Sequence, residues 1–235
     1  MKRQSKYISA AVLIFMLFAG VSLYTTNAVS SQTQRATQNN SNSTKISYAP
    51  IPGGAYAIDP AHSSINFSIR HLLINNVRGR FDDYTGTITY NPGDITKSSV
   101  EFTAKVASID TDIAKRDEHL RTADFFDVEK YPEIIFKSTR IERRGKDSFI
   151  AHGDFTLHGT TKQVAIPFKI FGAVKDPWGG TRMGVEAATT INRQDYGVNF
   201  NQPMAEGGLM IANEVRIELV LEAVKQEPAK TQAVK

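Results

Sequence analysis

The chain has 235 residues, with 28 Lys and Arg against 24 Asp and Glu, and no cysteine. A disulfide scaffold and any Cys-based metal site are excluded, so the fold must rest on an ordinary apolar core. Three of the excess cations, Lys2, Arg3 and Lys6, sit at the extreme N-terminus, and without them the charge is close to balance, which removes the usual argument for a nucleic-acid partner.

Residues 1–28 carry those cations, no acid, an apolar run from Ile8 to Val21 and a small-residue exit at Thr26-Asn27-Ala28, the pattern of a cleavable secretory leader. The rival reading is a retained anchor, but the run is interrupted and short beside the roughly 20 apolar residues of a span. The expectation is export to the periplasm, with no stable membrane span after the leader is removed. Residues 29–53 are mostly Ser, Gln, Thr and Asn and predict a disordered polar spacer, as do residues 225–235 for a flexible tail. Between them, residues 54–224 suit one domain.

That domain is written in period-two alternation, the mark of strands with one buried face. Tyr56–Asp59 opens it. Ile65, Phe67 and Ile69 then alternate with polar residues, followed by segments at Val77–Phe81 and Thr85–Tyr90. Val100, Phe102, Ala104 and Val106 form the next set. Ile134 and Phe136 start another, then Phe149, Ala151, Gly153 and Phe155, then Val164, Ile166, Phe168 and Ile170. Met183 to Ile191 and Val215 to Leu221 close the series. Turn signals stand between them at Asn91-Pro-Gly-Asp94, Arg144-Gly-Lys-Asp147, His158-Gly159 and Asp176-Pro-Trp-Gly-Gly180. About eight to ten strands with short links predict an all-β antiparallel meander, and at about eight strands such a sheet closes into a lipocalin-like barrel. An outer-membrane barrel would also alternate, but its apolar face would look outward and carry aromatic girdles, which a chain with one Trp lacks.

The stretch Asp110–Pro132 breaks the alternation and is too long for a hairpin loop, so it predicts a helical insert over one barrel mouth. On helical spacing Ile113 and Leu120 share a face with Arg116 and Asp117, which turns a charged pair toward the core. Lys115, Glu118 and Arg121 read as solvated surface charges. His62, His71, His119, His152 and His158 show no HxH or HExxH spacing, so no metal site is expected, and no cofactor motif is present. No Gly-x-Ser-x-Gly elbow marks a hydrolase. The phenylalanines on the inner faces either pack the barrel solid or line a tunnel, and spacing leaves both open.

The blocks His62-Ser-Ser-Ile-Asn-Phe-Ser-Ile-Arg-His71, Val77-Arg-Gly-Arg-Phe81, Arg116-Asp-Glu-His-Leu-Arg121, Phe125-Phe126-Asp127, Tyr131-Pro132, Gly153-Asp-Phe-Thr-Leu-His-Gly159 and Asn192-Arg193 through Asp195-Tyr-Gly197 resemble those of the YceI family of polyisoprenoid-binding proteins. Singly they are weak; in this order over residues 54–224 they are specific. The resemblance implies a lipocalin-like barrel around a hydrophobic tunnel, a long prenyl or other amphiphilic ligand, usually a periplasmic address, and no established reaction.

On that reading the tunnel wall is Phe67, Ile69, Phe81, Phe102, Val106, Phe136, Phe155 and Phe168, with Leu120, Phe125 and Phe126 contributed by the insert. The head-group set is Arg116, Asp117 and His119, from the facing of the insert, with His71 and Arg193 at strand ends. The expected partner is a long-chain isoprenoid or acyl lipid and, at most, a second copy of the chain as a homodimer; no catalytic residue is assigned. The alternatives are an enzyme using Arg116, Asp117 and His119 on such a lipid, and a solid-cored stress or interaction protein.

Overall fold

The computed structural model describes residues 50–205 and 207–227, so the leader and most of the spacer and tail lie outside the described residues. Every alternating segment is a strand: β1 (Gly54–Ile58), β2 (Ser64–His71), β3 (Asn75–Phe81), β4 (Tyr84–Tyr90), β5 (Ser99–Lys105), β6 (Ile109–Asp110), β7 (Glu133–Arg143), β8 (Ser148–Leu157), β9 (Thr160–Lys175), β10 (Thr181–Asn192) and β11 (Ile211–Lys225). Lys225, expected to begin the tail, ends β11 opposite Tyr56. The only described α-helix is α1 (Ala114–Arg121), inside the predicted insert.

The eleven strands make eight staves, because three staves are broken in two. β11 pairs along one edge with β10 and along the other with β1 and then β2, which are separated by a 3-10 turn at Pro60–His62. β4 and β3 pair with β1 and β2 in turn, and β5 and β6 follow β4 and β3. The β1–β11 pairing closes the ring β1-β4-β5-β7-β8-β9-β10-β11. Apolar positions face inward while Glu214, Arg216, Glu218 and Lys169 face out, the reverse of a lipid-facing barrel. No helix among the described residues is long and apolar enough to cross a membrane.

Local chemistry explains the joints. His158 and Gly159 both have positive φ, 50° and 71°, the primed-turn geometry that matches strand twist in a two-residue hairpin. Gly79 lies opposite Phe67, and a Cβ there would overlap the Phe67 ring and come within 2.8 Å of Thr111 Cγ2. The β9–β10 ladder runs only from Lys175↔Thr181 to Phe168↔Ala187. Pro167, next along β9, has no N–H to extend it. Above that point the two strands part.

The end of the barrel nearest Tyr56 is solid. Tyr56, Met183, Ala173, Ile141 and Ala223 are buried there, and Tyr56 Oη donates to Pro52 O at 2.7 Å. Outside this plug, Arg182 Nη1 donates to Asp59 Oδ2 at 2.7 Å and to Glu222 Oε1, and its Nε to Asp176 Oδ2 at 2.9 Å. One guanidinium thus ties β10, β11, the β1–β2 break and the β9–β10 turn. Asp59, His62 and Glu222 stand close enough to hold a cation, but Arg182 already supplies positive charge to both of these carboxylates.

The His62 and Arg182 hydrogen bonds hold the Asp59 carboxyl down at about 2. A depressed folded-state pKa contributes stability above the unfolded value of roughly 4 and loses it as pH falls through the folded one. Arg182→Met is expected to unfold at lower urea concentration than the wild type at neutral pH, and the gap between the two midpoints should shrink from about pH 4 to about pH 2; a gap independent of pH would show that the clamp is not electrostatic.

Candidate functional site

The interior above the plug is hollow. A cavity of about 130 Å³ is lined by Phe102, Phe136, Ala151, Val164, Ile166, Phe168, Val185, Ala187 and Leu219 among other apolar residues. It adjoins a larger chamber of about 570 Å³ toward the β2–β3 end. Phe67, Phe81, Ile134, Phe155, Ile191 and Ile217 line both and form the neck between them. The larger space falls within the roughly 300–1,000 Å³ of small-molecule sites.

The roof of the chamber is the insert. An eight-residue helix is marginal by itself, and α1 is held by its charged residues. Asp117 Oδ1 accepts from Thr111 N at 2.9 Å and from Thr111 Oγ1 at 2.5 Å. Arg116 donates through Nε to Thr111 Oγ1 and through Nη2 to Thr111 O, both at 2.7 Å. Arg121 grips the carbonyls of Ala107 and Ile109 at 2.8 and 2.7 Å. The inward charged pair is therefore mostly an anchor. Ile113, expected on the same inward face, is exposed instead: it is the N-cap, with extended φ and ψ of −137° and 101°, and so precedes the helical face.

Of the expected wall residues, Phe67, Ile69, Phe81, Phe102, Leu120, Phe125, Phe126, Phe136, Phe155 and Phe168 line one cavity or both. Val106 does not. It opens a 3-10 turn after β5, and that turn carries its buried side chain into the solid packing. Of the head-group set, His71, Arg116, His119 and Arg193 line the chamber, and Asp117 does not, being buried against Thr111. His119 pairs with Asp124 at 2.8 Å and sets its ring edge-on to Phe125 and Phe200 at 5.1 Å.

Phe200, Val198, Gln202 and Met210 were not legible from the sequence. They come from the segment between β10 and β11, which has no alternation to reveal a face. Among the described residues, four basic side chains, His71, Arg116, His119 and Arg193, and no acid line the chamber.

Arg193 is the unusual member. It follows Asn192, whose side chain caps a 3-10 turn that ends at Gly197 with φ 80°. Its Nε donates to Ala212 O at 2.9 Å and its Nη1 to Val198 O at 2.7 Å. Nη2 is buried with no partner among the described residues, and the residue is 4% exposed. Burial pulls the guanidinium below its ordinary pKa, and no carboxylate among the described residues offsets that. An unpaired buried cation beside a cavity is costly unless an anion or strong acceptor meets it.

The structure is a closed antiparallel barrel with a roofed, largely apolar interior that carries bases at one end. Residues 56–223 match the YceI-like domain, and the chain belongs to that family. A UPF0312 protein of Shewanella baltica is 36% identical over 182 residues, covering 76% of this chain and 92% of that protein. The crystal structure of the Campylobacter jejuni YCEI protein superposes with a TM-score of 0.57 at 27% identity, over 68% of this chain and 91% of that one. A polyisoprenoid binding domain from Saccharophagus degradans shares the fold at a TM-score of 0.56 and 16% identity, over 73% and 98% of the two chains.

Asp117→Ala removes the acceptor of a buried N–H and should cost about 1–3 kcal/mol of stability. Hydrogen exchange is expected to quicken across residues 111–126 while β8 and β11 keep their protection; uniform loss over the whole barrel would contradict a local anchoring role.

Proposed function

We propose that this protein binds a long-chain amphiphile, a polyisoprenoid or a similar acyl lipid, with its tail in the barrel and an anionic head group in the upper chamber. The observation that carries this reading is the gradient along one hollow: almost wholly apolar in the narrow cavity, base-lined and free of acids in the chamber. Each buried CH₂ of a tail is worth about 0.8 kcal/mol, so about ten of them supply roughly 8 kcal/mol before ordering costs. Arg193 Nη2, together with Arg116, suits a phosphate or carboxylate, whose oxygens match a guanidinium fork. The polyisoprenoid binding described for the Saccharophagus degradans domain supports the choice of ligand class.

The role inferred is binding rather than catalysis. The acid that a catalytic reading depends on, Asp117, is committed to Thr111 and faces no cavity. The leader-like residues 1–28 support export, with a periplasmic address as the corresponding proposal.

Native mass spectrometry of protein purified from its own host, with extraction of the bound lipid, tests the reading. A long-chain isoprenoid or acyl lipid is the expected cargo; a protein that emerges empty and takes up neither prenyl nor acyl lipids would overturn it. Ala187→Phe, which fills the narrow cavity, should weaken long tails and spare short ones. Arg193→Gln should cost an anionic lipid about tenfold or more in affinity while a neutral lipid of equal tail length is little changed, with the thermal midpoint followed in both variants.

A further inference from the structure

The β2–β3 hairpin turns through Leu72, Leu73 and Ile74, three aliphatic residues where turn chemistry asks for Gly, Asn or Asp. Leu72 and Leu73 have φ of 50° and 62°, a left-handed conformation that bulky side chains rarely adopt. Their side chains are not buried in return: exposure rises along the tip from 40% to 64% to 82% at Ile74. Backbone strain combined with exposed apolar surface has no benefit to the fold by itself.

The tip does not stand alone. Leu72 N donates to Met210 O at 2.8 Å, which ties it to the segment carrying the exposed Leu209. His71, Asn75 and Met210, at the foot of the tip, line the chamber. Just below, Arg70 and Arg78 are exposed on the outer face of β2 and β3 and make no ion pair among the described residues. Their neighbour Arg80 differs, being held by Asp82, Asp110 and Asp112.

We infer that this tip docks the barrel on an anionic lipid bilayer, with Leu72, Leu73 and Ile74 set into the boundary between head groups and acyl chains and Arg70 and Arg78 against lipid phosphates. Aliphatic side chains backed by unpaired cations are the chemistry of interfacial attachment. A protein partner fits less well, since a standard interface covers roughly 800 Å² per side and a three-residue convex tip is too small for that. A second exposed apolar group, Phe171, Val174 and Trp178, lies at the other end of the barrel. Neither cavity reaches Trp178, and nearby Arg182 is held by three carboxylates. Docking at the tip would bring the chamber mouth to the bilayer, so an amphiphile could pass between them without crossing water. The docking itself does not depend on what fills the chamber.

The absence of cysteine makes the test direct. Ile74→Cys in the full chain, labelled with a polarity-sensitive dye, is mixed with vesicles of equimolar phosphatidylcholine and phosphatidylglycerol. The dye reads its own surroundings, so an anchor elsewhere in the chain would not shift it. A blue shift that requires vesicles is expected, weakened roughly thirtyfold in vesicle concentration by Arg70→Gln with Arg78→Gln at low salt. The emission of Trp178, the single tryptophan, should stay unchanged at the far end. No shift at position 74, or a shift of Trp178 in its place, would overturn the inference. A shift that grows with protein concentration without vesicles would assign the tip to a second copy of the chain and overturn it equally. A variant with the narrow cavity filled by Ala187→Phe should still dock, which separates failure of docking from failure of lipid binding.

Discussion

β11 carries two ladders at once, and the barrel depends on it. Its fifteen residues pair with β10 on one edge and with β1 and β2 on the other, so the last strand of the domain closes on the first. Closure leaves every stave one inner and one outer face, because successive side chains alternate. With about eight staves the interior is just wide enough that side chains can fill it or leave room for a ligand. Here both outcomes occur in one barrel: Tyr56, Met183 and Ile141 fill one end, the narrow cavity opens beyond them inside the paired ring, and the larger chamber lies toward β2, β3 and the insert.

Two sets of buried or half-buried charges have opposite fates. Arg116, Asp117 and Thr111 satisfy one another, and their closed network holds an otherwise marginal helix over the mouth. Arg193 has two of its three nitrogens matched to carbonyls and the third left over. A matched network fixes geometry, whereas a leftover cation in a low-dielectric site favours an incoming acceptor. The same residue types thus give a roof in one place and an unmatched donor beside the chamber in another.

The resulting device is polarised along its axis. The plugged end is tied by Arg182 and its three carboxylates, and the insert, the chamber and the strained aliphatic tip lie at the opposite end. Charges are fully paired at the plugged end, whereas Arg193 Nη2, without a partner among the described residues, and the exposed Leu72 to Ile74 lie at the other.

Alternation alone determined the strands, their inner faces and the antiparallel barrel, because a one-residue slip would turn every apolar side chain outward. It also located the insert as a long break, and put Phe67, Phe102, Phe136, Phe155 and Phe168 on the inner faces that line the cavities. Alternation put Val106 on the wall and helical spacing put Ile113 inward and Asp117 at the ligand, whereas a 3-10 turn, a helix cap and hydrogen bonds to Thr111 set where these side chains lie. Whether the phenylalanines meet in the middle or surround a space, and which bases share one chamber, were decided only by tertiary structure. Those outcomes rest on the register between staves distant in sequence and on the aperiodic segment bearing Phe200 and Met210, neither of which leaves a local pattern in the chain.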